Sequence, residues 1–251
     1  MKRLGLLLGL CLLILTTSLP LLAAETVEEV VQQSGFEGGV VLHLGCGDGS
    51  LMGEIHTLAP NSLLHGLESD MILFWTAQKQ LYDSGLYGPV TVAYWDEETI
   101  PFVSNFANLI IVEEATDELA VEIDRVLAPG GTALIGDQII VKERPDEMDQ
   151  WHQYLYDATG NAVSQDELIR PPLYHLQWVG GPRWARHHDV MSSVSACVSS
   201  DNKIFYIFDE GSSFSPLLPS RWKLICRDAF NGTILWKRDI DHWFPNLHGL
   251  K

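Results

Sequence analysis

Gly45, Gly47 and Gly49 stand at alternate positions after the apolar run Val40-Val41-Leu42-His43-Leu44, and a helix-compatible segment, Leu51 to Leu58, follows. Strand, tight turn and helix start form a layout in which backbone meets a nucleoside or phosphate. Glycine suits it because the ligand approaches the main chain closely and the turn can demand φ > 0. An ordinary strand-to-helix turn looks the same, so the downstream residues matter. Glu68 ends the second apolar run, 19 residues past Gly49, close to the spacing of about 20 at which an acid accepts hydrogen bonds from ribose hydroxyls. Trp95-Asp96 ends the third run and offers an aromatic face and a carboxylate to a purine. Glu113-Glu114 ends the fourth, either facing the same pocket or capping the next helix. Taken singly, Glu68 and Asp96 also read as solvated strand-end acids, His43 as a satisfied core histidine, and Cys46 as a small filler with no basic neighbour in sequence to activate its thiol.

These residues need a scaffold, and the first half of the chain supplies its pattern. A short amphipathic helix with Val27, Val30 and Val31 precedes strand-like runs at Val40–Leu44, Ser62–Leu67, Pro89–Trp95, Leu109–Val112 and Thr132–Val141. Helix-compatible segments lie between them at Leu51–Leu58, Met71–Tyr82 and Thr116–Leu127. Apolar strands alternating with helices predict an α/β fold, Rossmann-like, with a mostly parallel sheet and helices on both faces. Pro129-Gly130-Gly131 predicts a turn that ends the last helix and feeds the next strand.

With these elements in place, the stretch from about Gly38 to Asp137 resembles the class I S-adenosylmethionine-dependent methyltransferases in their small type 11 form. The family's glycine motif matches Gly45, Gly47 and Gly49. Its ribose-binding acid matches Glu68, and its adenine-side acid matches Asp96, followed by Ile100-Pro101-Phe102. Its arginine-to-diglycine segment matches Arg125 to Gly131. The resemblance implies S-adenosylmethionine as cofactor, with those five residues binding it. Two positions depart from the pattern: His43 stands where the family places an acid that helps hold the cofactor's amino group, and Ala107-Asn108 replaces Phe-Asp. No residue reads as a general base, and the methyl acceptor is not encoded in any recognisable way. Methyl transfer needs chiefly proximity and alignment.

The pattern changes after Pro145. Domains are expected at 25–145 for the Rossmann-like part, 146–190 for a connector and 191–251 for an all-β segment. Val194–Val198 and Lys203–Phe208 flank one turn; Leu224–Asp228 and Thr233–Lys237 flank another, at Ala229-Phe230-Asn231-Gly232, where Asn-Gly is a strong hairpin signal. Asn231-Gly232-Thr233 is also a glycosylation sequon, for which the structural reading is preferred. Asp228, Ala229, Gly232 and Trp236 resemble the Asp-Ala-x-x-Gly-x-x-x-Trp repeat of quinoprotein-like β-propellers, of which this segment would be one blade and part of a second. Arg183, Trp184, Arg186 and His187 are expected to pack at the first blade. In His187-His188-Asp189 adjacent histidines on a strand point to opposite faces, and no third ligand is spaced for a metal.

Composition narrows the context. Lys2 and Arg3 followed by Leu4–Leu15 read as a signal peptide over residues 1–24, which predicts export to a periplasm, cell envelope or exterior. An uncleaved leader would tether the chain to a membrane. Removing it takes the formal charge from −17 to −19, too acidic for nonspecific nucleic-acid binding. With 46% hydrophobic residues the chain has the means to build a core. Cys46, Cys197 and Cys226 show no zinc-type spacing; a Cys197–Cys226 disulfide is conceivable, and buried free thiols are the preferred reading. Two functions therefore compete: a methyltransferase of unknown acceptor, and a non-catalytic methyltransferase-like module on an exported propeller. Retained glycines and acids favour the first, export and His43 the second.

Overall fold

The computed structural model describes residues 31–32, 34–173, 176–181, 194–212, 214–215, 218–241 and 243. The expected leader, the start of the first amphipathic helix, and the Arg183–Asp189 cluster lie outside the described residues.

The apolar runs form a six-stranded sheet with order β3-β2-β1-β4-β5-β6. Its strands are β1 (Gly39–Leu44), β2 (Ser62–Glu68), β3 (Val90–Tyr94), β4 (Ala107–Val112), β5 (Leu127–Ile135) and β6 (Gln138–Val141). The first five pair in parallel and β6 is antiparallel. Helices α1 (Ser50–Leu58), α2 (Met71–Asp83) and α3 (Asp117–Val126) make the crossovers. All six residues of β1 are buried, as a central strand covered on both faces must be. Val40, Leu42 and Leu44 pack on one side with Ile110, Ile123 and Val126, and Val41 packs on the other with Met52, Ile55 and Ala77.

Local chemistry sets the helix ends. Asp70 caps α2 by accepting from the amides of Ile72 and Leu73, and Thr116 caps α3 through the Leu119 amide. Asp117 and Glu118 in the first turn of α3 and Arg125 in its last turn complement the helix dipole.

Two expectations fail here. The run 132–141 is not one strand: Gly136, at φ 58°, reverses the chain, so β5 and β6 form a hairpin. Pro129-Gly130-Gly131 is not a turn between helix and strand. β5 starts at Leu127 directly after α3, and the three residues form a bulge where the register against β4 shifts.

The second half contains an antiparallel meander, β10-β9-β8-β7, from β7 (Val194–Ser200), β8 (Lys203–Asp209), β9 (Trp222–Asp228) and β10 (Ile234–Asp239). β7 and β8 join through Asp201-Asn202, with φ 50° and 59°, the left-handed pair that matches strand twist. Cys197 lies opposite Tyr206, and Tyr206 opposite Ile225, so Cys197 faces away from Cys226 and the two remain free thiols. Cys226 is buried, but Cys197 is exposed, against expectation. No helix among the described residues is long and apolar enough to cross a membrane.

This meander seats on the N-terminal edge of the parallel sheet, the edge opposite the glycine turn. Asn108 is the junction. Its Nδ2 donates to Asp228 at 2.7 Å, and its Oδ1 accepts from the Val40 amide at 2.8 Å and from Asn231 Nδ2 at 2.7 Å. Asn231 also donates to the Phe106 carbonyl, so the nitrogen a glycan would need is already engaged. Gly39 clears the space, since a Cβ there would lie 2.0 Å from Asn108 Oδ1. Asn202 adds a bond to the Pro129 carbonyl at 2.7 Å. Asn108→Ala leaves Asp228, Asn231 and the Val40 amide short of partners and is expected to cost about 2–3 kcal/mol in urea unfolding. A loss below about 0.5 kcal/mol would show that the junction contributes no stability.

Candidate functional site

In the order β3-β2-β1-β4-β5 the chain reverses direction between β1 and β4, and ligands of open α/β sheets bind at such a reversal, beyond the strand C-termini. The glycine turn leaves β1 there. Gly45 and Gly47 have φ of 68° and 58°, and a Cβ at either would meet nothing within 4 Å, so conformation rather than crowding demands glycine. The turn hangs from β2: the Gly45 and Cys46 amides donate to the Leu67 carbonyl at 2.8 and 3.3 Å. Gly49 begins α1 with φ 80° and provides no side-chain cap.

Glu68 is the centre of this edge. It is 5% exposed. Its Oε2 accepts from the Gly47 amide at 2.7 Å and its Oε1 from the Asp70 amide at 3.0 Å. The side chain read as a ribose ligand therefore also ties the turn after β1 to the start of α2. Each oxygen keeps a second acceptor site for a ligand hydroxyl. The Glu68 carbonyl in turn accepts from the Trp95 amide at 3.0 Å, which aligns the end of β3 beside it.

Asp96 is exposed one residue further, with Oδ1 accepting from the Glu98 amide at 3.2 Å. Trp95 does not offer its face to a ligand. It is 7% exposed, packs in the core cluster, and donates its indole N–H to the Thr99 carbonyl at 2.8 Å. Glu113 and Glu114 are exposed at the end of β4, and Thr116 rather than either glutamate caps α3.

His43 lies beneath the turn, 7% exposed, and its Nδ1 has no hydrogen-bond partner among the described residues. Burial pushes its pKa down to about 4, partly offset by the Glu68 charge, so the imidazole is neutral at pH 7. It is a core histidine as expected, but not a fully satisfied one. Cys46 is the filler that its sequence context suggested: burial, with Glu68 adding to it, pushes its thiol up to about 12. Its Sγ packs over Gly66, where a Cβ would lie 2.5 Å from that sulfur and 2.7 Å from Met52 Cε. Gly66 supports the turn and went unnoticed in the sequence; a glycine inside a strand was its only signal. Among the described residues no three His, Cys, Asp or Glu side chains gather as a metal site.

No protein-family model matches the chain, and no curated protein matches it. Among solved structures it is similar to an S-adenosylmethionine-dependent methyltransferase from Aquifex aeolicus, at 21% identity and TM-score 0.38, covering 43% of this chain and 61% of that one. It is also similar to geranyl diphosphate C-methyltransferase from Streptomyces coelicolor, at 19% identity and TM-score 0.40, over 43% of this chain and 42% of that one. A third is the cyclase SpnF, at 22% identity and TM-score 0.38, over 43% and 42% of the two chains. The chain thus spans less than two thirds of each. At that level of likeness its own geometry has to carry the functional reading.

Two outcomes test the site's construction. A histidine whose folded pKa is depressed contributes stability that is complete above its unfolded value of 6.5 and is lost as pH falls toward about 4. His43→Asn is therefore expected to lessen the decline in unfolding free energy between those pH values, by up to about 3 kcal/mol. An unchanged pH profile would remove His43 as the cause. Gly66→Ala should cost about 1–3 kcal/mol by overpacking, and Cys46→Ala in the same chain should restore part of it in thermal unfolding.

Proposed function

We propose that the chain binds S-adenosylmethionine at the C-terminal edge of its parallel sheet and transfers the methyl group to an acceptor not yet identified. The observation that carries this is the gathering of the glycine turn, Glu68 and Asp96 at one edge, where the strand order reverses. The residues fit the cofactor. The turn is open at Gly45 and Gly47, so backbone can be approached closely. Glu68 retains acceptor capacity for ribose hydroxyls, and the exposed Asp96 carboxylate suits the adenine side.

When bound, the cofactor supplies an electrophilic methyl group on a sulfonium centre. The chain's own part is orientation. Gly45, Gly47 and Gly49 would shape the seat for the methionine portion, and Glu68, held by two main-chain amides, would present its remaining lone pairs without rearranging. Such preorganisation is what bimolecular transfer needs most. No side chain is assigned as a general base.

A second reading has its own support: a methyltransferase-like module without catalysis. Both oxygens of Glu68 already serve the fold, and neutral His43 stands where an acid would help hold an amino group. The meander fits one blade of a quinoprotein-like propeller. Asp228, the first residue of the matched repeat, orders its turn by accepting from the Phe230 and Asn231 amides at 2.8 and 2.9 Å. Apolar side chains also occupy both faces of the sheet, Phe205 and Leu224 on one and Tyr206 and Ile225 on the other, as a layer between neighbouring blades requires. Under this reading the leader directs the protein out of the cytoplasm, and cell fractionation checks it.

Calorimetric titration of the full chain with S-adenosylmethionine separates the two. Binding is expected, and Asp96→Ala, an exposed change, should weaken it roughly tenfold without moving the melting temperature. No heat with the ligand at millimolar concentration would leave the non-catalytic module.

A further inference from the structure

We propose that Arg125, paired with Glu122, is a positioning residue that holds the loop between β3 and β4 and thereby sets Asp96 at the edge of the nucleoside site; this rests on the cofactor reading above. The loop from Trp95 to Phe106 has no strand or helix to satisfy its backbone, and it contains two non-glycine residues in the left-handed region, Glu97 at φ 64° and Asn105 at φ 56°. Such residues persist only where surrounding contacts over-determine them.

α3 holds the middle of this loop, and the Arg125 carbonyl accepts from the Asn105 amide at 2.9 Å. The Arg125 guanidinium donates from Nη1 to the Phe102 carbonyl at 2.7 Å and from Nη2 to the Ile100 carbonyl at 2.9 Å. Its Nε and Nη2 also reach the two oxygens of Glu122, each at 2.7 Å. Glu122 Oε2 then accepts from the Ile100 amide at 3.1 Å, so one ion pair grips both polar groups of Ile100. Ile100 is 1% exposed, and Ile123 and Val126 fasten the same helix to the core. A second tie runs from Ser69, next to Glu68, to the carboxylate of Glu97, next to Asp96. The two candidate acids thus belong to one hydrogen-bonded frame. The planar five-donor fork makes these four hydrogen bonds at once, one more than the three donors of an ammonium allow.

The test uses the full chain as wild type, Arg125→Ala, Arg125→Lys and Glu122→Gln, read by amide hydrogen exchange, thermal unfolding and S-adenosylmethionine titration. Exchange is expected to accelerate across residues 96–102 in both arginine variants. Cofactor affinity should fall roughly tenfold, with the rest of the sheet still protected. Guanidinium ion at a sub-denaturing concentration should restore affinity to Arg125→Ala and leave wild type unchanged. Unaltered exchange at 96–102, or exchange raised uniformly over the whole sheet, overturns the proposal. So does cofactor affinity that survives in both arginine variants. Wild type that binds no cofactor defeats the cofactor reading instead, and local exchange alone then decides whether Arg125 holds the loop.

Discussion

One carboxylate organises the functional edge of this protein. Glu68 accepts main-chain hydrogen bonds from Gly47 on one side and Asp70 on the other, so the turn after β1 and the first turn of α2 share a single anchor. A buried acid without such donors would carry a large desolvation cost. Here two amides, otherwise orphaned at loop and helix ends, offset it. Around that anchor the rest follows: Leu67 receives Gly45 and Cys46, Cys46 fills the space that Gly66 leaves, and the Trp95 amide aligns β3 alongside. Using one group for scaffold and candidate ligand has a consequence. The acid is rigid and preoriented, but a substitution there disturbs the turn as well as any ligand.

The opposite edge is governed by a neutral amide. Asn108 joins β1, β4 and the Asp228–Gly232 turn through three hydrogen bonds, and the meander is thereby held away from the glycine turn. The position where the methyltransferase pattern carries Asp takes Asn here, and the geometry gives a reason. An aspartate would face buried Asp228 and could not donate to it, whereas the Asn amide donates to Asp228 and accepts from Asn231 at the same time. The sequon asparagine is likewise consumed by the junction. Around Asn108 the two halves therefore meet through matched polar groups, and the candidate site stays open at the far end of the strands.

Much of the α/β part was legible because its signals are local. Continuous apolar runs such as Val40–Leu44 announce buried strands, and alternate glycines before a helical segment announce a tight turn; in the second half, Asn-Gly announces the hairpin between β9 and β10. The misreadings arose where a local signal had two outcomes. Thr132–Val141 is apolar enough for one strand, yet Gly136 folds it back because β6 can add to the open edge of β5. Trp95 is equally suited to stack on a ligand or to fill a core, and the space beneath β3 took it. For Glu113 and Glu114 the sequence left two roles open, facing the pocket or capping the helix, and Thr116, the residue directly before α3, took the cap. Arg125 was visible as part of a motif, while its grip on Ile100 and Phe102 was not, since those residues are more than twenty positions away.

What the sequence by itself determined is the order of strands and helices from β1 through α3, the glycine turn, and the presence of acids at the ends of β2 and β3, because periodicity, turn chemistry and spacing act over a few residues. What only the tertiary structure decided is how those acids are used: Glu68 held by two amides, Asp96 carried on a loop clamped from α3, His43 neutral under the turn, and the meander fixed to the other edge through Asn108. Each depends on burial and on partners brought together by the sheet. Hydrogen-bond satisfaction and desolvation are properties of the packed molecule, and no spacing along the chain contains them.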